Sequence, residues 1–234
     1  MFKKTLIASA LLAGSSAALA EISGNVSLLS DYAFRGVSQT DEQIALQGGF
    51  DWSHDSGFYV GTWASNVDSS FFNDPQDPQL EIDLYAGFGG ELGNGISYDF
   101  GILHYDYPGA DAADTDELYI SGSMSGFTVS LNYSDELAFV GSKESAYYLA
   151  AGYEMSLPQD FGLSVHIGLS DGDAFDPGKP TGLPDSIVDW SIGISKSVAG
   201  VDLGLTYVDS DADDATFFDD LADSRIVFSI SKSL

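Results

Sequence analysis

The 234-residue chain contains no cysteine, so neither a disulfide nor a thiolate metal site can form in it. Basic residues are scarce as well: Lys+Arg 8 stand against Asp+Glu 36, for a formal net charge of −28. So little positive charge cannot neutralise phosphates, which excludes nucleic acid as a partner and makes cations the natural counterparts. Beyond residue 20 no apolar run approaches the ~18 residues that a membrane helix requires. What the chain has instead is Gly 26, Tyr 12 and Phe 15, beside abundant Ser and Asp. That composition suits many strands joined by turns.

The first twenty residues stand apart. Lys3 and Lys4 form a short basic start, Leu6 to Leu12 is apolar, and Ala18-Leu19-Ala20 ends in an A-x-A cleavage pattern. Residues 1–20 therefore read as a secretory signal peptide and residues 21–234 as the mature domain. Glu21 follows the cut, so no lipid-bearing cysteine does. Removing Lys3 and Lys4 takes the formal charge from −28 to −30.

Within the mature chain the dominant pattern has a period of two. In 118–133, Leu118, Ile120 and Met124 share one parity, while Tyr119, Ser121 and Ser123 share the other. Beyond Ser125-Gly126, Phe127, Val129, Leu131 and Tyr133 alternate with Thr128, Ser130 and Asn132. Alternation on both sides of a tight turn predicts a β-hairpin with one apolar and one polar face. The unit recurs along the chain. In the first strand Ile22, Val26, Leu28, Tyr32 and Phe34 fall on the apolar parity, with Leu29 as a blemish on the polar one. The facing of Phe58 to Val67 is ambiguous, because either Tyr59 and Trp63 or Phe58 and Val60 suit the outer side.

About twelve strands of roughly ten residues result, the length that spans an outer membrane when tilted. A soluble sandwich gives the same local alternation. The connections separate the two folds: links are short after the even-numbered strands, and long and acidic after the odd ones. Short periplasmic turns and long extracellular loops are the arrangement of an all-β, transmembrane, antiparallel barrel in the outer membrane of a Gram-negative bacterium. In hydrocarbon every backbone group must be paired, and a sheet achieves that only by closing on itself.

The stretch SDYAFRGVSQTDEQIALQGGFDWSHDSGFYVGTWASNVD, Ser30 to Asp68, resembles the TorF-type porin family of proteobacteria. The S-D-Y-x-F-R-G-x-S-Q-T start, the Q-G-G-F-D-W-S-H-D-S-G-F-Y turn and the G-T-W-A-S-N-V ending carry the resemblance. The strand layout extends it along the mature chain. It implies outer-membrane location and a channel role.

On the polar parity fall Asp31, Asp51, Glu81, Asp83, Asp99, Glu117, Glu154, Asp189 and Asp202, joined by Arg35, Arg225 and His166. These are the expected pore-lining residues. A surplus of acids would give the lumen a negative potential that concentrates cations. The expected function is passive diffusion of small solutes with a preference for cations. The alternative is a non-conducting barrel with a structural, adhesion or surface-binding role. Asp171, Asp173 and Asp176, or Asp209, Asp211, Asp213 and Asp214, offer hard oxygen ligands, but neither run has the closing Glu of a calcium loop. Solvated loop charge, bridged by divalent ions to lipopolysaccharide, is the simpler account. No catalytic triad is selected around His54, His104 or His166, and no cofactor is implied.

Overall fold

The computed structural model describes residues 21–72, 78–176, 183–212 and 218–234; residues 1–20, where the signal peptide is expected, lie outside them. Twelve antiparallel strands form one closed barrel. They are β1 (Glu21–Leu29), β2 (Ala45–Ser53), β3 (Phe58–Asn66), β4 (Leu80–Glu91), β5 (Ser97–Asp106), β6 (Thr115–Met124), β7 (Phe127–Ser134), β8 (Ala146–Leu157), β9 (Phe161–Asp171), β10 (Ile187–Val198), β11 (Val201–Ser210) and β12 (Arg225–Ser233). Each pairs with its neighbours in sequence, and β1 closes the ring on β12 from Asn25–Ser233 to Leu29–Ser229. Besides the barrel, the described residues hold a two-residue ribbon (Ala33–Phe34 with Val37–Ser38) and five single turns of 3-10 helix.

The apolar parity faces outward. Ile22, Phe50, Leu84, Ile102, Leu118, Ile120, Val129, Ile167, Leu205 and Ile226 are all exposed on the outer wall, a band suited to lipid. A charge placed there must leave water. Ile120→Arg, midway along β6, is expected to destabilise the barrel by about 2–4 kcal/mol, measured by urea unfolding from lipid vesicles. The same change at exposed Asp116 on the rim should cost little.

Short and long links alternate as the sequence rhythm predicts. Two of the short ones are two-residue turns with positive φ at both positions: Ser125 (52) with Gly126 (88), and Ala199 (53) with Gly200 (81). Such turns match the twist of the flanking strands, and the second position suits glycine because L side chains are strained there.

At two places the structure corrects or completes the sequence reading. Strand β1 ends at Leu29, so Tyr32 and Phe34 do not continue its lipid face; the loop 30–44 turns into the barrel mouth, where Tyr32 is buried. Asp31 and Arg35 accordingly belong to this loop rather than to a strand. In β3 the ambiguity resolves with Val60 outside, while Tyr59 is buried on the inner face and Trp63 packs against the loop core.

Candidate functional site

Most inward strand positions deliver a polar or small side chain to the interior, and tyrosine phenols join many of the acids there. Near the short-turn side, Tyr59 donates to Asp99 Oδ1 at 2.6 Å and meets the Tyr119 hydroxyl, while Tyr85 donates to Asp51 Oδ1 at 2.6 Å. Cross-strand glycines make room for these rings. Gly101 faces Tyr119 in register, and a Cβ there would lie 2.4 Å from its hydroxyl.

Nearer the long loops, Glu81 accepts from Tyr32 at 2.9 Å and from Tyr107 at 2.7 Å. Both tyrosines lie in loops, where burial first and the Glu81 charge second push their hydroxyls well above the usual range. They therefore remain protonated donors. Glu117 binds Arg35 Nη2 through both oxygens, at 2.7 and 2.9 Å, and also accepts from Tyr105 and Asn132. Burial is the largest influence on Arg35 and works to lower its pKa, but the Glu117 charge and hydrogen bond, together with Tyr105 and Tyr148, outweigh it and hold the guanidinium above its ordinary value. Arg35 also stacks between the Phe34 and Tyr148 rings, 4.7 and 4.4 Å from their centroids.

Arg225 Nη1 lies 3.1 Å from Asp31 Oδ2, and Asp31 Oδ1 accepts from Ser38 and Thr40. Asp189 is met by His166 Nε2 at 3.0 Å and by Tyr148. Glu154 and Asp202 sit near the short-turn rim, the first exposed and the second half-buried beside Ser197. Thus the structure brings Arg35 to Glu117, Arg225 to Asp31 and His166 to Asp189, and leaves Glu154 apart.

Exposure divides the interior. Glu81 is 1% exposed, Glu117 2%, Asp31 and Asp189 3%, Asp99 4% and Asp83 9%. Toward the short turns Ser23, Asp51, Ser97, Ser121, Ser123, Thr128, Ser164, Ser195 and Ser231 are only half-buried, so water enters from that side. Over the buried acids sits an apolar core built by the long loops. Val37, Phe72, Leu137, Phe139, Val140, Phe175, Leu183, Phe218 and Leu221 pack there with Tyr32, Tyr105 and Tyr107, and Leu29, Phe34, Trp63 and Leu103 support them. Leu29, the irregular residue of β1, points inward because this core receives it. Alternation within strands carries no information on that core; the only hint in the sequence was apolar pairs such as Phe139-Val140 inside acidic loops.

The aspartates of the two acidic runs are occupied individually, and Asp171 and Asp209 lie at the ends of β9 and β11 rather than in loops. Asp171 accepts from Tyr147 and the Gly172 amide, Asp209 from Tyr207 and the Ser210 amide, and Asp211 from the Val188 amide. Asp213 and Asp214 lie outside the described residues. Among the described residues one group of three metal-ligand side chains converges, His104, Asp106 and Asp114, with ligand atoms within 4.8 Å of one another at the long-loop rim. His104 Nδ1 also contacts Asp116 at 2.8 Å.

A protein family described as "Bacterial protein of unknown function (Gcw_chp)" matches residues 13–234. No curated protein matches the chain. Among solved structures, a KdgM porin superposes with a TM-score of 0.57 at 9% identity, covering 91% of this chain and 99% of that one. The KdgM porin in complex with disordered oligogalacturonate gives 0.56 at 8% identity, over 91% and 98%. A NanC porin gives 0.53 at 8%, over 90% and 98%. At these identities the likeness is one of fold: this barrel has the architecture of outer-membrane porins.

Proposed function

The chain belongs to the Gcw_chp family, and from that premise and its barrel we propose that it is an outer-membrane, porin-like channel for small solutes with a preference for cations. The observation that carries the reading is the charge balance of the interior. Nine acids face two arginines, and both arginines are already paired, Arg35 with Glu117 and Arg225 with Asp31. The remaining acids give a field that draws cations and repels anions. The TorF-type motifs of Ser30 to Asp68 support the same role. No covalent step is required. In this reading cleavage after Ala20 releases the mature barrel, and acidic loop tips meet lipopolysaccharide through divalent ions.

In the conformation described, the loops cover the outer mouth. Conduction then requires the loop 30–44 to withdraw from above the acids. A second reading is favoured by the apolar loop core itself, which suits a permanently closed barrel acting through its surface. Single-channel recording of refolded protein under a KCl gradient separates them. Discrete steps with a cation-selective reversal potential are expected, and Asp99→Asn should move that potential toward zero. Anion-selective steps would sink the charge argument while leaving a pore. Silence from a folded barrel would favour the closed reading.

A further inference from the structure

One interior carboxylate is unlike the others. Asp83 is 9% exposed, and its Oδ1 has no hydrogen-bond partner. Its register partners are Trp63 on β3 and Tyr105 on β5; the Tyr105 hydroxyl is directed to Glu117, not to Asp83. The charged groups that act on it are Glu81 and Glu117, both negative. Glu81, two residues away on the same face of β4, receives only neutral tyrosine hydroxyls. Glu117 is already matched by Arg35.

Two adjacent buried carboxylates without a counter-charge are unstable together. A proton would remove the charge of Asp83 but not its missing hydrogen bond. On Oδ1 it would be a buried donor with no acceptor, and on the other oxygen it would leave Oδ1 an unsatisfied acceptor. Water would satisfy the lone pair but not the charge. A cation answers both.

We propose that Glu81 and Asp83 hold one divalent, oxygen-preferring cation on the inner wall of β4. Two uncompensated carboxylates match its charge, and an all-oxygen site of irregular geometry suits Ca²⁺, which tolerates variable coordination, better than Mg²⁺. Asp83 keeps 9% of its surface exposed, whereas Glu81 keeps 1%, so the ion would enter at Asp83. The inference deepens the channel reading by naming an ion that the interior retains, and its test does not depend on conduction.

Refolded barrel in detergent is titrated with Tb³⁺, which reports binding by emission sensitised through nearby aromatic rings, and then with Ca²⁺ as competitor. Wild-type protein is expected to show saturable emission that Ca²⁺ displaces. Asp83→Asn and Glu81→Gln should each weaken it at least tenfold, whereas exposed Asp111→Asn should leave it unchanged. Trp63→Phe, which retains both carboxylates, should dim the emission without altering the Ca²⁺ concentration that displaces it. Emission unaffected by Asp83→Asn, or no Ca²⁺-displaceable emission in the wild type, would overturn the site. Binding in a barrel that passes no current would sink the channel and keep the site; current without binding would do the reverse.

Discussion

Glu117→Gln is expected to release the loop 30–44 from the mouth and so raise the open probability of the proposed channel. The carboxylate grips Arg35 from across the mouth with both oxygens, joining the loop 30–44 to the wall at β6. The side chains are 14% and 2% exposed, so water screens the pair little. Removing one partner of a buried pair strands the other charge, a loss of about 3–5 kcal/mol. That corresponds to a shift of roughly a hundredfold or more between closed and withdrawn loop. Planar-bilayer recording reads it as open probability, and protease cleavage within 30–44 reads it as exposure. Unchanged gating together with an uncleaved loop would show that Arg35 is not the latch.

Phe139→Ala attacks the same closure by different physics. Phe139 is 6% exposed and sits edge-on to Phe34 and Tyr105, with centroids 6.0 and 6.2 Å away, so it bridges two loops and the barrel wall. Truncating a buried phenylalanine costs about 3–5 kcal/mol in transfer and cavity terms. The loss is expected to loosen the loop core while leaving the strand ladder intact. Hydrogen exchange should rise in 30–44 and 135–145 but not in β1 to β12. Global melting of the barrel at an unchanged exchange pattern would contradict this. Both substitutions act on one element, so combining them should give a non-additive effect on opening.

The wall was legible from sequence because strand periodicity is local and strict. Ile120 against Tyr119, or Phe100 against Asp99, takes its face from parity alone once one side must meet lipid. The link lengths likewise separated the two rims. The interior was legible as a set of acids but not as pairs. That Arg35 reaches Glu117, 82 residues on, depends on how the loop 30–44 re-enters the mouth. That re-entry is a tertiary outcome, with Tyr32, Phe34 and Val37 finding Phe139 and Phe175 from other loops. Extending the β1 parity to Tyr32 and Phe34 failed for this reason: beyond Leu29 the competing partner was the loop core rather than lipid.

The seam between β1 and β12 bears on how the molecule comes into being. Asn25 to Leu29 find their partners near the opposite end of the chain, and the Ser30 amide donates to the Phe228 carbonyl. A contact spanning so much sequence carries a large closure entropy and forms late. Until it forms, every partial assembly exposes two unpaired strand edges, each a template for another chain. Residues 225–233 are thus a kinetic checkpoint: a chain arrested before β12 is synthesised has an edge on β1 that nothing else in the molecule can cover.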